Sequence, residues 1–394
     1  MAGDKSALVF GASGVTGWAF VNEILNDYPQ KGIWTGVHAL TNRPLDPEKT
    51  LWPRDDRLVV TSGINLLDDS QQEVEAKLGA ISGIEKVTHV IYLAYKANTD
   101  NIVEVRENTD MFKCAITAAD AVCPALEFVV NQTGAKTYGC HLLRNRPSYL
   151  VPPFHEDGPK LGYPGGETLF YYPQIVWLAD FSRDKKWSWA ETRPDIIIGF
   201  VPNQNFYSLG MALGFFFSLY REVNGDGAEC PFPGTEASWN AKSQDSSADM
   251  ISRQTLHIAL SPKTKKGDAF NVADEQEPHT WRDKWPVLCA YFGLKGVKRA
   301  EDEPVEVRKY IKENKAAWER AEEKYGLQKG QADNERVFPG FEQFLLSLFD
   351  TDRQYDMSKL YCEAGFKEER SAGEAWGLVF DRMRRAKLIP AEFK

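Results

Sequence analysis

The segment Gly11-Ala12-Ser13-Gly14-Val15-Thr16-Gly17 carries three glycines, with two residues between each and the next. The first permits a tight turn. The later ones let backbone approach a pyrophosphate and let a helix pack closely on a strand. The N-terminus of that helix aims partial positive charge at the phosphates. Such a turn binds dinucleotides only between a strand and a helix. Ala7-Leu8-Val9-Phe10 before it is an apolar run of the buried parallel-strand kind, and Val15 to Leu25 after it has helical spacing.

The end of the next strand sorts NAD from NADP. An acid there holds the ribose hydroxyls, whereas an arginine accommodates a 2′-phosphate. The chain reads His38-Ala39-Leu40-Thr41-Asn42-Arg43-Pro44, with the nearest acid, Asp46, beyond Pro44. Arg43, with Asn42 as a helper, favours NADPH/NADP+ as the cofactor.

Reduction with such a cofactor needs a phenol near the nicotinamide to donate a hydrogen bond or proton to the substrate oxygen. A nearby ammonium lowers the phenol's pKa and holds the ribose. Reductases of this architecture usually carry both on one helix as Tyr-x-x-x-Lys. Two such strings occur, Tyr291/Lys295 and Tyr325/Lys329, each with a glycine in its middle and each far C-terminal of the expected place. At that place, after the fifth strand, stands Asn131-Gln132-Thr133-Gly134-Ala135-Lys136-Thr137-Tyr138-Gly139. The next helix opens Phe170-Tyr171-Tyr172-Pro173-Gln174-Ile175-Val176, with no lysine at the fourth position after either tyrosine. The ammonium must come from elsewhere, and Lys136 is the candidate.

These groups need a frame. Further strand-like runs lie at Trp34 to Leu40, Leu58 to Thr61, Val87 to Leu93, Leu126 to Val130 and Asp195 to Phe200. Helical spacing is found at Gln71 to Leu78, Asn108 to Val122 and Tyr171 to Arg183. This alternation predicts an α/β chain with a Rossmann-type doubly wound parallel sheet. The Gly- and Pro-rich stretch 139–168 reads as a long functional loop. Residues 1–205 are expected to form the NADP-binding domain, including the active-site Lys and Tyr. Residues 206–394 are expected to form a mainly helical substrate-binding cap, with 269–273 returning to the sheet. The charged run Glu301 to Lys329 reads as a solvated helix.

In order and spacing these segments resemble the progesterone 5-beta-reductase/iridoid synthase-like (PRISE) family of extended short-chain dehydrogenases/reductases. That family carries Gln-Thr-Gly-x-Lys-x-Tyr and Phe-Tyr-Tyr segments, here at Gln132 to Tyr138 and Phe170 to Tyr172. Further matches are Thr192-Arg193-Pro194 to Ile198-Gly199-Phe200, Pro231 to Gly234 with Trp239-Asn240, and Phe270-Asn271-Val272 with Trp281 to Phe292. Met357-Ser358-Lys359 to Gly365-Phe366 completes the set. The resemblance implies Lys136 and Tyr171 as the catalytic pair, with Tyr172 as the alternative, since helix neighbours point about 100° apart. It implies Thr16, Gly17 and Trp18 at the pyrophosphate and Ala94 and Tyr95 at the ribose. Asn65 and Leu66 belong to the adenine pocket, Gln132 and Thr133 border the cofactor, and Pro194 and Ile197 lie by the nicotinamide. Three departures stand out. Pro173-Gln174 replaces an acidic pair, Thr137 replaces His, and Asn65 replaces an acid.

The function so implied is conjugate (1,4) reduction of an enone or enal in an apolar small molecule, in secondary metabolism. A 1,2-carbonyl reduction, or a non-redox isomerase, cyclase or epimerase on the same scaffold, stays open. Aromatic residues that could enclose such a substrate are Tyr138, the loop from Tyr149 to Phe154, Phe206, Phe215 to Phe217 and Trp239.

Composition sets the outer bounds. A formal charge of −9 without a basic stripe argues against nucleic acid as a partner. Six scattered cysteines form no CxxC pair and fit reduced cytosolic thiols, and the six histidines show no HxxxH or HxH spacing, so no metal is expected. The apolar stretch Leu209 to Tyr220 is about 12 residues, short of the roughly 20 of a membrane span. With a strand starting by Ala7, no signal peptide is expected, which places the protein in the cytoplasm. Monomer and homodimer are both compatible with the sequence.

Overall fold

The apolar runs become strands of a parallel sheet whose two faces are each covered. The computed structural model describes residues 4–201, 208–300, 303–333 and 340–393. Its strands are β1 (Lys5–Phe10), β2 (Trp34–Thr41), β3 (Leu58–Ser62), β4 (His89–Tyr92), β5 (Phe128–Gln132), β6 (Ser188–Pro194), β7 (Ile196–Ile198), β8 (Glu229–Pro231), β9 (Asp245–Ser247), β10 (Asp268–Val272) and β11 (Lys295–Val297). The main sheet has the order β10-β6-β5-β4-β1-β2-β3, and every neighbouring pair in it is parallel. Alternation along β1 feeds both sides. Ala7 and Val9 join one buried cluster, Leu8 and Phe10 the other.

Chain order reverses between β1 and β4, so a crevice opens at their C-terminal ends, the place where such sheets bind ligands. Helix α1 (Val15–Leu25) leaves that crevice directly after the glycine turn, and α2 (Gln71–Gly79), α3 (Asn101–Val122) and α4 (Tyr171–Phe181) follow. α3 starts seven residues before the expected Asn108, because the Asp100 carboxylate accepts from the Ile102 and Val103 N–H groups and caps it.

The sixth strand differs from the expectation. Asp195 to Phe200 reads as the strand, yet the sheet uses Ser188–Pro194, and only Ile196–Ile198 of the predicted run is extended, paired with β9 outside the main sheet. The charges of Glu191 and Arg193 disguise β6, because an apolar pattern is the signal for a buried strand. Both are buried, joined to each other at 2.6 Å.

Beyond the sheet come α5 (Leu209–Asn224), α6 (Glu236–Asn240), α7 (Ala248–Leu260), α8 (Trp281–Tyr291), α9 (Val307–Glu313) and α10 (Lys315–Tyr325). The charged run is therefore two helices rather than one solvated rod. Val307, Ile311, Trp318 and Ala321 are buried, and Trp318 meets Phe215 of α5 edge-on at 5.7 Å. Among the described residues, no helix is long and apolar enough to cross a membrane, and no group of three His, Cys, Asp or Glu is placed to hold a metal ion.

Candidate active site

The glycine turn leaves no space for side chains where backbone must close up. Gly11 has φ +83°, and a Cβ there would lie 2.9 Å from the Leu93 carbonyl at the end of β4. A Cβ on Gly17 would stand 2.2 Å from the Gly11 carbonyl oxygen, so α1 sits against its own turn. Gly14 is the N-cap of α1, no side chain caps it, and no acid lies in the first turn. The N–H groups of Val15, Thr16 and Gly17 are thus left for an outside anion, with Ser13 half-buried just before them. Thr16 Oγ1 accepts from Gln132 Nε2 at 3.4 Å, and the buried Gln132 Oε1 has no partner among the described residues. This cradle fits a dinucleotide pyrophosphate. Trp18 is placed otherwise. Its N–H donates to Gly14 O, and its indole is buried, donating to Thr50 O and lying edge-on to Phe200 and under Arg382.

At the end of β2, Asn42 and Arg43 are exposed, and Thr41 Oγ1 donates to the Arg43 carbonyl at 2.7 Å. The Asn65 side chain is tied within its own turn, donating to Asp68 and accepting from Leu67 N–H, while Leu66 is buried. Ala94 and Tyr95 follow β4. Tyr95 donates to Glu104 and stacks on Phe170 with ring centroids 5.5 Å apart.

Phe170 immediately precedes the tyrosine pair, and the two tyrosines diverge. A Cβ on Gly134 would come within 3.4 Å of the Tyr171 hydroxyl and 3.2 Å of the Pro194 carbonyl oxygen. The Tyr171 phenol therefore lies against the glycine two residues before Lys136, where β5 and β6 both end. Lys136 is half-buried on the single helical turn Ala135–Tyr138. The Tyr172 hydroxyl instead donates to the Thr137 carbonyl at 3.3 Å, and burial pushes its pKa up to about 12. Ile197 is half-buried on β7, one strand beyond Pro194.

Of the aromatic substrate candidates, Tyr138, Phe215 and Trp239 are each buried. Tyr138 is wholly buried, its ring parallel to Phe154 at 4.8 Å and its hydroxyl bonded to Asn271. Phe215 is core between α5 and α10. Trp239 packs on Phe232 at 5.2 Å, beside a cavity of about 40 Å³ that could take little more than a water. Phe206 lies outside the described residues.

Two groups were given no role from sequence. Gln174 is buried, accepts from Asn131 Nδ2 at 3.3 Å and donates to the Asn108 carbonyl at 2.9 Å, so it joins α4 to β5 and α3. Its place one helical turn after Tyr171 is a legible signal. The second is Glu191 with Arg193, for which an apolar pattern offers none.

A PRISE-like Rossmann-fold domain matches residues 7–390. The short chain dehydrogenase ausT of Aspergillus calidoustus is 35% identical, over 98% of this chain and 95% of its own. An (S)-8-oxocitronellyl enol synthase of Nepeta cataria is 25% identical, over 98% of this chain and 94% of its own. Among solved structures, a UDP-glucose 4-epimerase of Bifidobacterium longum in complex with NAD+ and UDP has a TM-score of 0.61 at 12% identity, covering 97% of this chain and 98% of that one, which shows a shared fold. Rossmann sheet, glycine cradle and whole-length match agree: the chain belongs to the PRISE-like Rossmann-fold family of short-chain dehydrogenases/reductases.

Proposed function

We propose that this protein is an NADPH-dependent reductase that carries out conjugate (1,4) reduction of an enone or enal in an apolar small molecule. The observation that carries this reading is the Tyr171 hydroxyl lying against Gly134, beside the segment of Lys136 and at the C-terminal ends of β5 and β6. When bound, NADPH supplies the hydride. The Tyr171 hydroxyl donates a hydrogen bond to the substrate carbonyl oxygen, where negative charge grows as the β-carbon is reduced and an enolate forms. A donor already fixed in place stabilises that charge with little reorganisation. The Lys136 ammonium offsets the charge left on the phenol as its proton passes to the enolate, whose α-carbon gains the proton that completes the saturated ketone. The cradle from Gly11 to Gly17 and the Gln132 side chain hold the cofactor end.

The direct test mixes protein, NADPH and a simple enone such as 2-cyclohexen-1-one, follows NADPH absorbance, and identifies the product. The saturated ketone is expected. An allylic alcohol would mean 1,2-reduction, and product formation without NADPH consumption would mean non-redox chemistry.

Arg43 carries the cofactor choice. A charge-assisted hydrogen bond is worth about 1.5–3 kcal/mol, so Arg43→Ala should raise KM for NADPH roughly ten- to a hundredfold and leave KM for NADH unchanged. A wild type that prefers NADH, with the same preference in Arg43→Ala, removes NADPH from the reading.

A further inference from the structure

Lys136 lies in a segment held on both sides by one buried ion pair. Glu191 and Arg193 are two apart on β6 and so face the same side of the sheet. Glu191 Oε1 accepts from Thr133 Oγ1 at 2.5 Å, and Glu191 Oε2 accepts from Arg193 Nη2 at 2.6 Å. Arg193 Nη1 donates to the Tyr138 hydroxyl at 3.0 Å and to the Glu156 carbonyl at 3.1 Å. Thr133 precedes Lys136 by three residues, and Tyr138 follows it by two. The backbone repeats the attachment, since Thr133 N–H donates to Thr192 O at 2.8 Å. Tyr138 is further held by the parallel Phe154 ring and by the guanidinium, 5.5 Å from its centroid, while its hydroxyl donates to Asn271 Oδ1 at 2.7 Å.

An ion pair this deep is a poor source of stability, because the desolvation of two charges offsets their attraction. It is a good source of position. A reacting group must be held within about 0.5 Å of its working place, and the lysine stem supplies no such rigidity itself. We infer that the Glu191–Arg193 pair is a positioning device that fixes the segment Thr133 to Tyr138, and through it Lys136, against the Tyr171 phenol. This rests on the role given to Lys136 above.

The test uses the whole protein without cofactor, as wild type, Thr133→Val, Thr133→Ser and Tyr138→Phe. Hydrogen–deuterium exchange is read for the peptide spanning residues 133–139, and kcat for enone-dependent NADPH oxidation is read alongside. Thr133→Val and Tyr138→Phe should each speed exchange of this peptide about tenfold and lower kcat about tenfold, with exchange elsewhere as in the wild type. Thr133→Ser, which keeps the hydroxyl, should exchange like the wild type. Exchange unchanged in both Thr133→Val and Tyr138→Phe overturns the inference. So does faster exchange with undiminished kcat, provided Lys136→Met is inactive. If exchange quickens and Lys136→Met turns over like the wild type, the brace stands and it is the catalytic role of Lys136 that fails.

Discussion

Tyr171→Phe is expected to lower kcat for enone-dependent NADPH oxidation by about 10²- to 10³-fold, the cost of deleting a donor from a preorganised oxyanion site. Tyr172→Phe should fall by no more than about threefold, because its hydroxyl bonds the Thr137 carbonyl, a net contribution of about 1 kcal/mol to local structure. The contrast is sharp because the two side chains share a helix start yet reach different backbone. Tyr171 faces Gly134 and Pro194, and Tyr172 faces the far side of the Lys136 turn, against Gly166. KM for NADPH should change little in either variant, since the pyrophosphate cradle is untouched. Equal kcat in wild type and Tyr171→Phe sinks the assignment of the phenol. Loss in Tyr172→Phe alone would exchange the roles.

The halves of this site differ in how far they could be read from sequence. The pyrophosphate end was legible because its chemistry is backbone chemistry. Only glycine tolerates φ +83° beside the Leu93 carbonyl or a helix pressed onto its own turn, so residue type reports geometry directly. The other end reads in sequence only as a displaced phenol and ammonium with Tyr171 and Tyr172 as alternatives, and in the structure their hydroxyls reach different backbone, Gly134 and Thr137. For the aromatic candidates, residue type alone does not separate core packing from substrate contact. Tyr138, Phe215 and Trp239 are large and apolar, and such residues are drawn to the core as strongly as to a pocket. β6 was misplaced for the converse reason, since charges that neutralise each other in the interior look like surface when read along the chain.

That buried pair yields the largest expected change in stability. Arg193→Met removes the guanidinium and leaves the Glu191 carboxylate in the interior with only the Thr133 hydroxyl bonded to it, which should cost about 3–5 kcal/mol and lower Tm by about 4–6 °C. The effect must depend on pH. In the wild type, burial pushes the Glu191 pKa up, but Arg193 and the hydrogen bonds from Arg193 and Thr133 outweigh it and hold the group below the ordinary carboxylate range. A depressed folded pKa contributes stability above the unfolded pKa and loses it as pH falls through the folded value. Without Arg193, burial outweighs the Thr133 hydrogen bond and the Lys160 charge that remain, so the folded pKa rises above the unfolded one and stability is lost as pH rises. The gap in Tm between wild type and Arg193→Met should therefore widen from about pH 4 to about pH 8, and a gap independent of pH would contradict the pairing. Glu191→Leu added to Arg193→Met removes the stranded charge and should recover most of the lost Tm, as apolar replacements of buried pairs do. Turnover should not return with it. The double variant has no acceptor for Thr133 and no guanidinium for Tyr138, so the segment of Lys136 stays unpinned although the fold is restored. Stability and positioning are then separated in one molecule, which is the result expected if the pair is kept for geometry.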